Sequence, residues 1–299
     1  MGYKNEILWE LLKSKAEESN HSKPVDRENA HHFISGVEKI CDLAINRAKA
    51  IRDTFPTYTL HDEDHICNVL RLMVNLSGPR ISGLTRDETA MLILSACCHD
   101  IGMSYNDDDK QDALSNRERL DKYLEKHPSE YVKAYENNPD EPVLTDAMLQ
   151  DYFRSIHHER IQNLLYAVEW PSILNGSVNR EDLIAVCKSH GKDVSFLEKM
   201  NATPTIDLRM CAVLLRLASV FADAQYRHLS LSQWFDTLRD IEDISKSLTF
   251  STEKDEFLTF SELSSSPCFT MGNIIFQIRH QIPCSMNMQK LIHIHDVVN

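Results

Sequence analysis

The side chains in this sequence best suited to holding a cation are His61, His65, His99, Asp100, His157, His158, His190 and Asp223. Imidazole nitrogens and carboxylate oxygens without a thiolate suit Mn, Fe, Mg, Co or Zn and disfavour a structural zinc site. His99 and Asp100 close an apolar run that begins at Thr89. A paired imidazole and carboxylate leaving a buried helix need a partner, and one divalent ion takes both. His61 and His65 stand four apart at a helix start, so both project to one side, one turn apart. Of the neighbours His157 and His158, one is expected to face the site and the other solvent, with His158 preferred. His190 ends a helical stretch before Gly191. Asp223 lies in an apolar helix, so it needs a partner: the metal, Arg216 or Arg227.

Helices must carry these groups. The chain has only 8 Gly and 10 Pro in 299 residues, with long apolar-periodic stretches between them, which favours a mainly α protein. The spacing predicts a charged amphipathic helix over 5–20 and a second over 29–53, stopped by Phe55-Pro56. A third follows His61 and ends at Ser77-Gly-Pro79. The run from Thr89 is apolar on all sides and so reads as a central helix; Thr85 and Glu88 form a capping-box pattern at its start, and Gly102 falls near its expected C-terminus. Residues 104–147 read as short helices and loops crossing the surface, with Asp107-Asp-Asp109 a solvated turn. Further helices are expected over 145–165, 180–190 and 208–224. After about residue 245 the pattern loosens into alternation, notably Asn273-Ile-Ile-Phe-Gln-Ile-Arg-His280, which suggests a small C-terminal β-containing appendage. The last residues read as a terminal strand or as the edge of a further, fused domain.

Composition narrows the function. A net charge of −13 argues against a general duplex nucleic-acid binder, whose phosphate contacts need clustered Lys and Arg. A small nucleotide remains open, because a bound metal supplies local positive charge. The 8 cysteines form no C-x-x-C pair, and Cys97, Cys98, Cys187 and Cys211 sit in apolar helical contexts. That is the usage of reduced, packed thiols in a cytoplasmic protein. No membrane span and no signal-peptide core are visible.

The ordered motifs Tyr58-Thr-Leu-His-Asp-Glu-Asp-His65, His99-Asp-Ile-Gly-Met103, Arg154-Ser-Ile-His157, Lys188-Ser-His-Gly191 and Leu215-Arg-Leu-Ala218 resemble the HD-domain metal-dependent phosphohydrolase superfamily. They are similar to its bacterial subgroup often fused to GHKL-type ATPase domains. The resemblance covers roughly residues 55–230. It implies an all-helical core around a centre of one or two divalent ions (Mn, Fe, Mg, Co, Ni or Zn), hydrolysing phosphomonoesters or phosphodiesters, commonly of nucleotides. His65 corresponds to the first His, His99-Asp100 to the doublet, and His158 or His157 with His190 to the intervening pair. Where the family usually has Asp after Leu-Arg-Leu-Ala, this chain has Ser219, with Asp223 one turn later.

The expected organisation is an N-terminal helical extension over 1–55, an HD-type domain over 56–230 and an α+β appendage over 231–299. Asp100 is expected to bridge metals and orient water. His61 is expected to complete the metal shell or to protonate the leaving alkoxide, as an imidazole does near neutral pH. Arg154 and Lys188 are expected to contact phosphate, the former through a bidentate fork. Two other readings stand beside hydrolysis: a weakly catalytic module that binds a nucleotide or second messenger and signals to an attached domain, and a nuclease on single strands.

Overall fold

A computed structural model describes residues 2–18, 24–55, 63–136, 138 and 141–226, with the backbone alone at 24–27, 52–53 and 223–226. No strand occurs among them. The helices are α1 (Ile7–Glu18), α2 (Pro24–Thr54), α3 (Glu63–Ser77), α4 (Arg86–Cys98), α5 (Asp107–Ser115), α6 (Arg117–Leu124), α7 (Pro128–Tyr135), α8 (Asp146–Tyr166), α9 (Arg180–Ser189), α10 (Ser195–Glu198) and α11 (Leu208–Tyr226). None of these is long and apolar enough to cross a membrane. The expected β-containing appendage lies outside the described residues.

The axis of the fold is α4. Every residue from Thr89 to Cys98 is buried, and α1, α2, α3, α9 and α11 all pack against it. A helix apolar on every side has no solvent face to offer, so it can be stable only when enclosed. Its start is fixed by the expected capping box. The Thr85 hydroxyl accepts from Glu88 N at 3.0 Å, and Glu88 Oε2 accepts from Thr85 N at 2.8 Å. The same residues reach the start of α11: Thr85 Oγ1 donates to Thr205 O at 2.8 Å, and Asp207 N donates to Glu88 Oε1 at 3.1 Å. The two most apolar helices therefore begin in register.

The N-terminal helices join this core directly. Leu8, Trp9 and Leu12 of α1 are buried in it. The buried Glu6 carboxylate accepts two bonds from Arg71 of α3, at 2.6 and 3.0 Å, a bidentate pair that fixes orientation as well as distance. Helix α2 starts at Pro24, earlier than the periodicity indicates, because proline suits a first helical turn.

Two sequence expectations need correction. Asp107, Asp108 and Asp109 are the first turn of α5, capped reciprocally by Asn106 and Asp109; carboxylates there complement the helix dipole, so the run starts a helix instead of forming a turn. The short helix α10 is too brief to show periodicity. Gly102 does not close α4, which ends at Cys98 with His99 as its C-cap. It sits in a 3₁₀ turn, Ile101–Met103, for a packing reason described below.

Candidate metal centre

Helix ends deliver most of the site. His65 lies in the first turn of α3, His99 caps the C-terminus of α4, His190 caps the C-terminus of α9, and His157 projects from the middle of α8. Asp100 follows His99 with φ −105° and ψ 0°, which turns the chain out of the helix. Two helix C-termini thus face the cluster, and their partial negative charge favours a cation there.

Asp100 is the hub. Its Oδ2 lies 2.9 Å from His99 Nε2 and 3.5 Å from His65 Nε2. Its Oδ1 lies 3.4 Å from His157 Nε2 and 3.6 Å from His190 Nε2. One carboxylate therefore serves two pairs of imidazoles, one oxygen to each pair. In each triplet, His65–His99–Asp100 and Asp100–His157–His190, the donor atoms lie within 4.8 Å of one another. His65 and His99 are buried, at 2% and 1% exposure, whereas Asp100, His157 and His190 border the surface.

A shared device orients the rings. The Nδ1 of His99 donates to Ala96 O at 3.0 Å, that of His157 to Arg154 O, and that of His190 to Cys187 O. Each is a bond to the carbonyl three residues earlier. A carbonyl only accepts, so each Nδ1 carries the hydrogen and each neutral ring keeps its Nε2 lone pair toward the cluster. Such bonds fix the tautomer of metal-ligating histidines.

The donor set fits a divalent ion on a direct geometric test. The Nε2 atoms of His157 and His190 stand 2.6 Å apart, two lone pairs facing each other. That contact is repulsive unless a positive charge is shared between them. Burial pushes His190 down to about 4, with His157 and His99 adding to the effect against the pull of Asp100, so its ring resists a second proton, and a divalent cation is the other charge that suits the pair.

Around this core lies a second set of charges. His158 is not in either triplet; its ring packs on Gly191, where an added Cβ would stand 2.4 Å away. Burial, followed by the neighbouring His157 and His190, holds its pKa down to about 4. Of the adjacent histidines, the geometry thus favours His157 over the preferred His158. Glu159 receives Lys188 at 3.2 Å and a close contact from Lys192. Burial opposes its ionisation, yet the two ammonium groups hold its carboxyl down to about 2. Lys188 also donates to Gln162 Oε1 at 2.6 Å.

The remaining sequence candidates fall elsewhere. Arg154 pairs with Asp151 on its own helix at 3.2 Å and is well exposed. His61 lies outside the described residues, and so does the side chain of Asp223, although its backbone belongs to the last turns of α11. Arg216 donates to the carbonyls of Ser189 and Lys192. Ser219 is partly exposed on α11. Sequence reasoning missed Glu159, Lys192 and Arg160. The first two had a signal, since Lys192 follows Lys188 by four and Glu159 directly follows the histidine pair.

The family model described as HD-CE matches residues 55–225, more than half of the chain. No curated protein and no solved structure matches it.

Proposed function

Because the chain belongs to the HD-CE family and carries an HD-type domain, we propose that it is a divalent-metal-dependent phosphohydrolase acting on a phosphomonoester or phosphodiester of a nucleotide. The observation that carries the reading is the division of the Asp100 carboxylate, with Oδ2 toward His65 and His99 and Oδ1 toward His157 and His190. This arrangement supports a pair of ions bridged by one residue. Bound divalent metal supplies Lewis acidity and lowers the pKa of water toward neutrality.

The chain's own residues do the rest. His99, His157 and His190 present unprotonated Nε2 atoms because their Nδ1 hydrogens are committed to backbone carbonyls. Asp100 holds the two halves at a fixed separation and accepts a hydrogen bond from the attacking water. Lys188, only 17% exposed and paired with Glu159, which directly follows His158, offers its ammonium group to the phosphate, since phosphoryl transfer depends mainly on positioning and charge neutralisation. His61 is the proposed proton donor to the leaving oxygen, and Asp223 a further ligand from α11.

Metal content by elemental analysis, followed by a nucleotide panel with Mn, Co, Mg and Ni, tests the proposal. Turnover that disappears in His99→Ala and Asp100→Ala supports it. Full hydrolysis by both variants removes it.

Ser219, standing where the resembling family usually has Asp, favours a second reading: a weakly catalytic module that binds a nucleotide or second messenger and signals to an attached domain. It requires nucleotide-dependent thermal stabilisation without turnover, so measurable product release under any of these metals counts against it.

A further inference from the structure

Two arginines outside the ligand set make the same kind of contact beside the two ligand turns. Arg160, one turn beyond His157 on α8, donates from Nη1 to Gly102 O at 2.5 Å and to Ser104 O at 2.8 Å. Its Nη2 pairs with Asp109 at 2.6 Å, and its guanidinium lies 4.6 Å over the Phe153 ring. Arg216 of α11 donates from Nη1 to Ser189 O at 3.0 Å and to Lys192 O. Arg160 is 11% exposed along its side chain and Arg216 7%.

The carbonyls they bind are not arbitrary. Gly102 and Ser104 follow the His99-Asp100 doublet, and Ser189 and Lys192 flank His190 and Gly191. Both are places where a helix has just ended and buried carbonyls need donors from outside it; Ser189 O accepts from Lys192 N as well, at 3.2 Å. A buried guanidinium meets that need with several donors in a rigid plane, which a single ammonium on a flexible stem does not reproduce. Arg160 therefore ties the turn that carries Asp100 to the helix that carries His157. Arg216 ties the turn that carries His190 to α11.

The two halves of the centre differ in what holds them. His65 and His99 come from α3 and α4, which pack directly on one another in the core. His157 and His190 come from α8 and α9, which pack on one another, and α9 also packs on α4; but both side chains border the surface, and the turn after each helix end that carries Asp100 or His190 is held by one of the two arginines.

We infer that Arg160 and Arg216 are positioning residues that set chiefly the outer half of the centre, Asp100 with His157 and His190; the inner half shares only Asp100 with it, and its histidines, His65 and His99, are held by α3 and α4. The inference rests on the metal-pair reading above. It assigns these arginines a role in the order of metal uptake as well as in the fold: the inner half fills first, and the outer half fills only as tightly as the two turns are held.

Calorimetric titration of the full chain with Mn²⁺ is the test, with circular dichroism reporting the fold of each variant. The wild type is expected to take up two ions in resolvable steps. Arg160→Met keeps the stem but removes the donors. It should weaken the second step by about 10- to 100-fold, the range found when a residue supporting a metal ligand is lost, and leave the first within about 3-fold. Arg216→Met should do the same. Asp109→Asn breaks the Arg160 ion pair without touching the carbonyls, so it should lower thermal stability but preserve both steps.

If Arg160→Met does not fold, Arg160→Lys carries the same expectation with a smaller loss in the second step. Two wild-type ions with equal losses in both steps, or with no loss in either arginine variant, overturn the inference alone. A wild-type chain that binds fewer than two ions overturns the metal-pair reading and this inference with it.

Discussion

Gly102 and His157 meet backbone to backbone: a Cβ built on Gly102 would stand 2.0 Å from the His157 carbonyl oxygen. The helix that carries one ligand thus rests on the turn that follows the His99-Asp100 doublet. No side chain fits between them, and a carbonyl cannot rotate away as a side chain can. The absence of a β-carbon at this position sets how closely Asp100 approaches α8.

Gly102→Ala should therefore destabilise the protein by about 1–3 kcal/mol, the usual cost of overpacking, and reduce metal uptake along with stability. Gly83→Ala is the control, since nothing lies within 4 Å of its Cβ; it should be neutral or slightly stabilising through a less flexible unfolded chain. Chemical denaturation of the two variants side by side gives the comparison. Equal effects would contradict the close-approach explanation.

Asp100→Ala should abolish binding of both ions, because its two oxygens serve different imidazole pairs. His157→Ala should cost one ion and leave the His65–His99–Asp100 triplet able to bind the other. Elemental analysis after dialysis distinguishes the outcomes; two ions retained by Asp100→Ala would rule out a bridging carboxylate.

Acid should weaken the metal-free protein before its carboxylates titrate. His158 and His190 are each held near a pKa of about 4 by burial first, with neighbouring histidines adding to it and, at His190, Asp100 opposing it, against about 6.5 when unfolded. Between those values the unfolded chain binds protons that the folded chain does not, so stability falls as pH drops from about 6.5 toward 4. At about 1.4 kcal/mol per unit, each histidine contributes up to about 3 kcal/mol of loss. Glu159, held at about 2 against the opposing effect of burial by Lys192 and Lys188, adds a loss only at lower pH. Urea midpoints at several pH values check this, and saturating Mn²⁺ should shift the acid limb downward.

Lys188→Met should raise KM for a phosphoester substrate by about 10-fold or more, a loss in line with one charge-assisted hydrogen bond, while leaving metal stoichiometry at the wild-type value. Steady-state kinetics with parallel metal analysis reads both. An unchanged KM would place the phosphate elsewhere.

Thr85→Ala should cost about 1 kcal/mol, typical for a lost helix cap, with somewhat more expected because the same hydroxyl reaches Thr205 O at 2.8 Å. The melting temperature of this variant reports it.

Much of this protein was determined by local sequence. The uniformly apolar run from Thr89 dictated an enclosed helix, Thr85 and Glu88 dictated its start, and the ordered histidines with Asp100 indicated a metal centre of the HD type. These features depend on periodicity and on side chains bonding within a turn or two of their own backbone, which the order of residues encodes directly. Tertiary structure decided the rest. Whether His157 or His158 faces Asp100 depends on the rotation of α8, and neighbouring helical residues differ by about 100° in direction. Gly102 reads in the sequence only as a helix end and Arg160 carries no signal there, because their roles arise from contacts with a carbonyl more than fifty residues away along the chain. The division of one carboxylate between two pairs of imidazoles exists only once α3, α4, α8 and α9 have packed, since these helices are far apart along the chain and are fixed relative to each other only by the core between them and by cross-helix contacts such as Lys188 with Gln162.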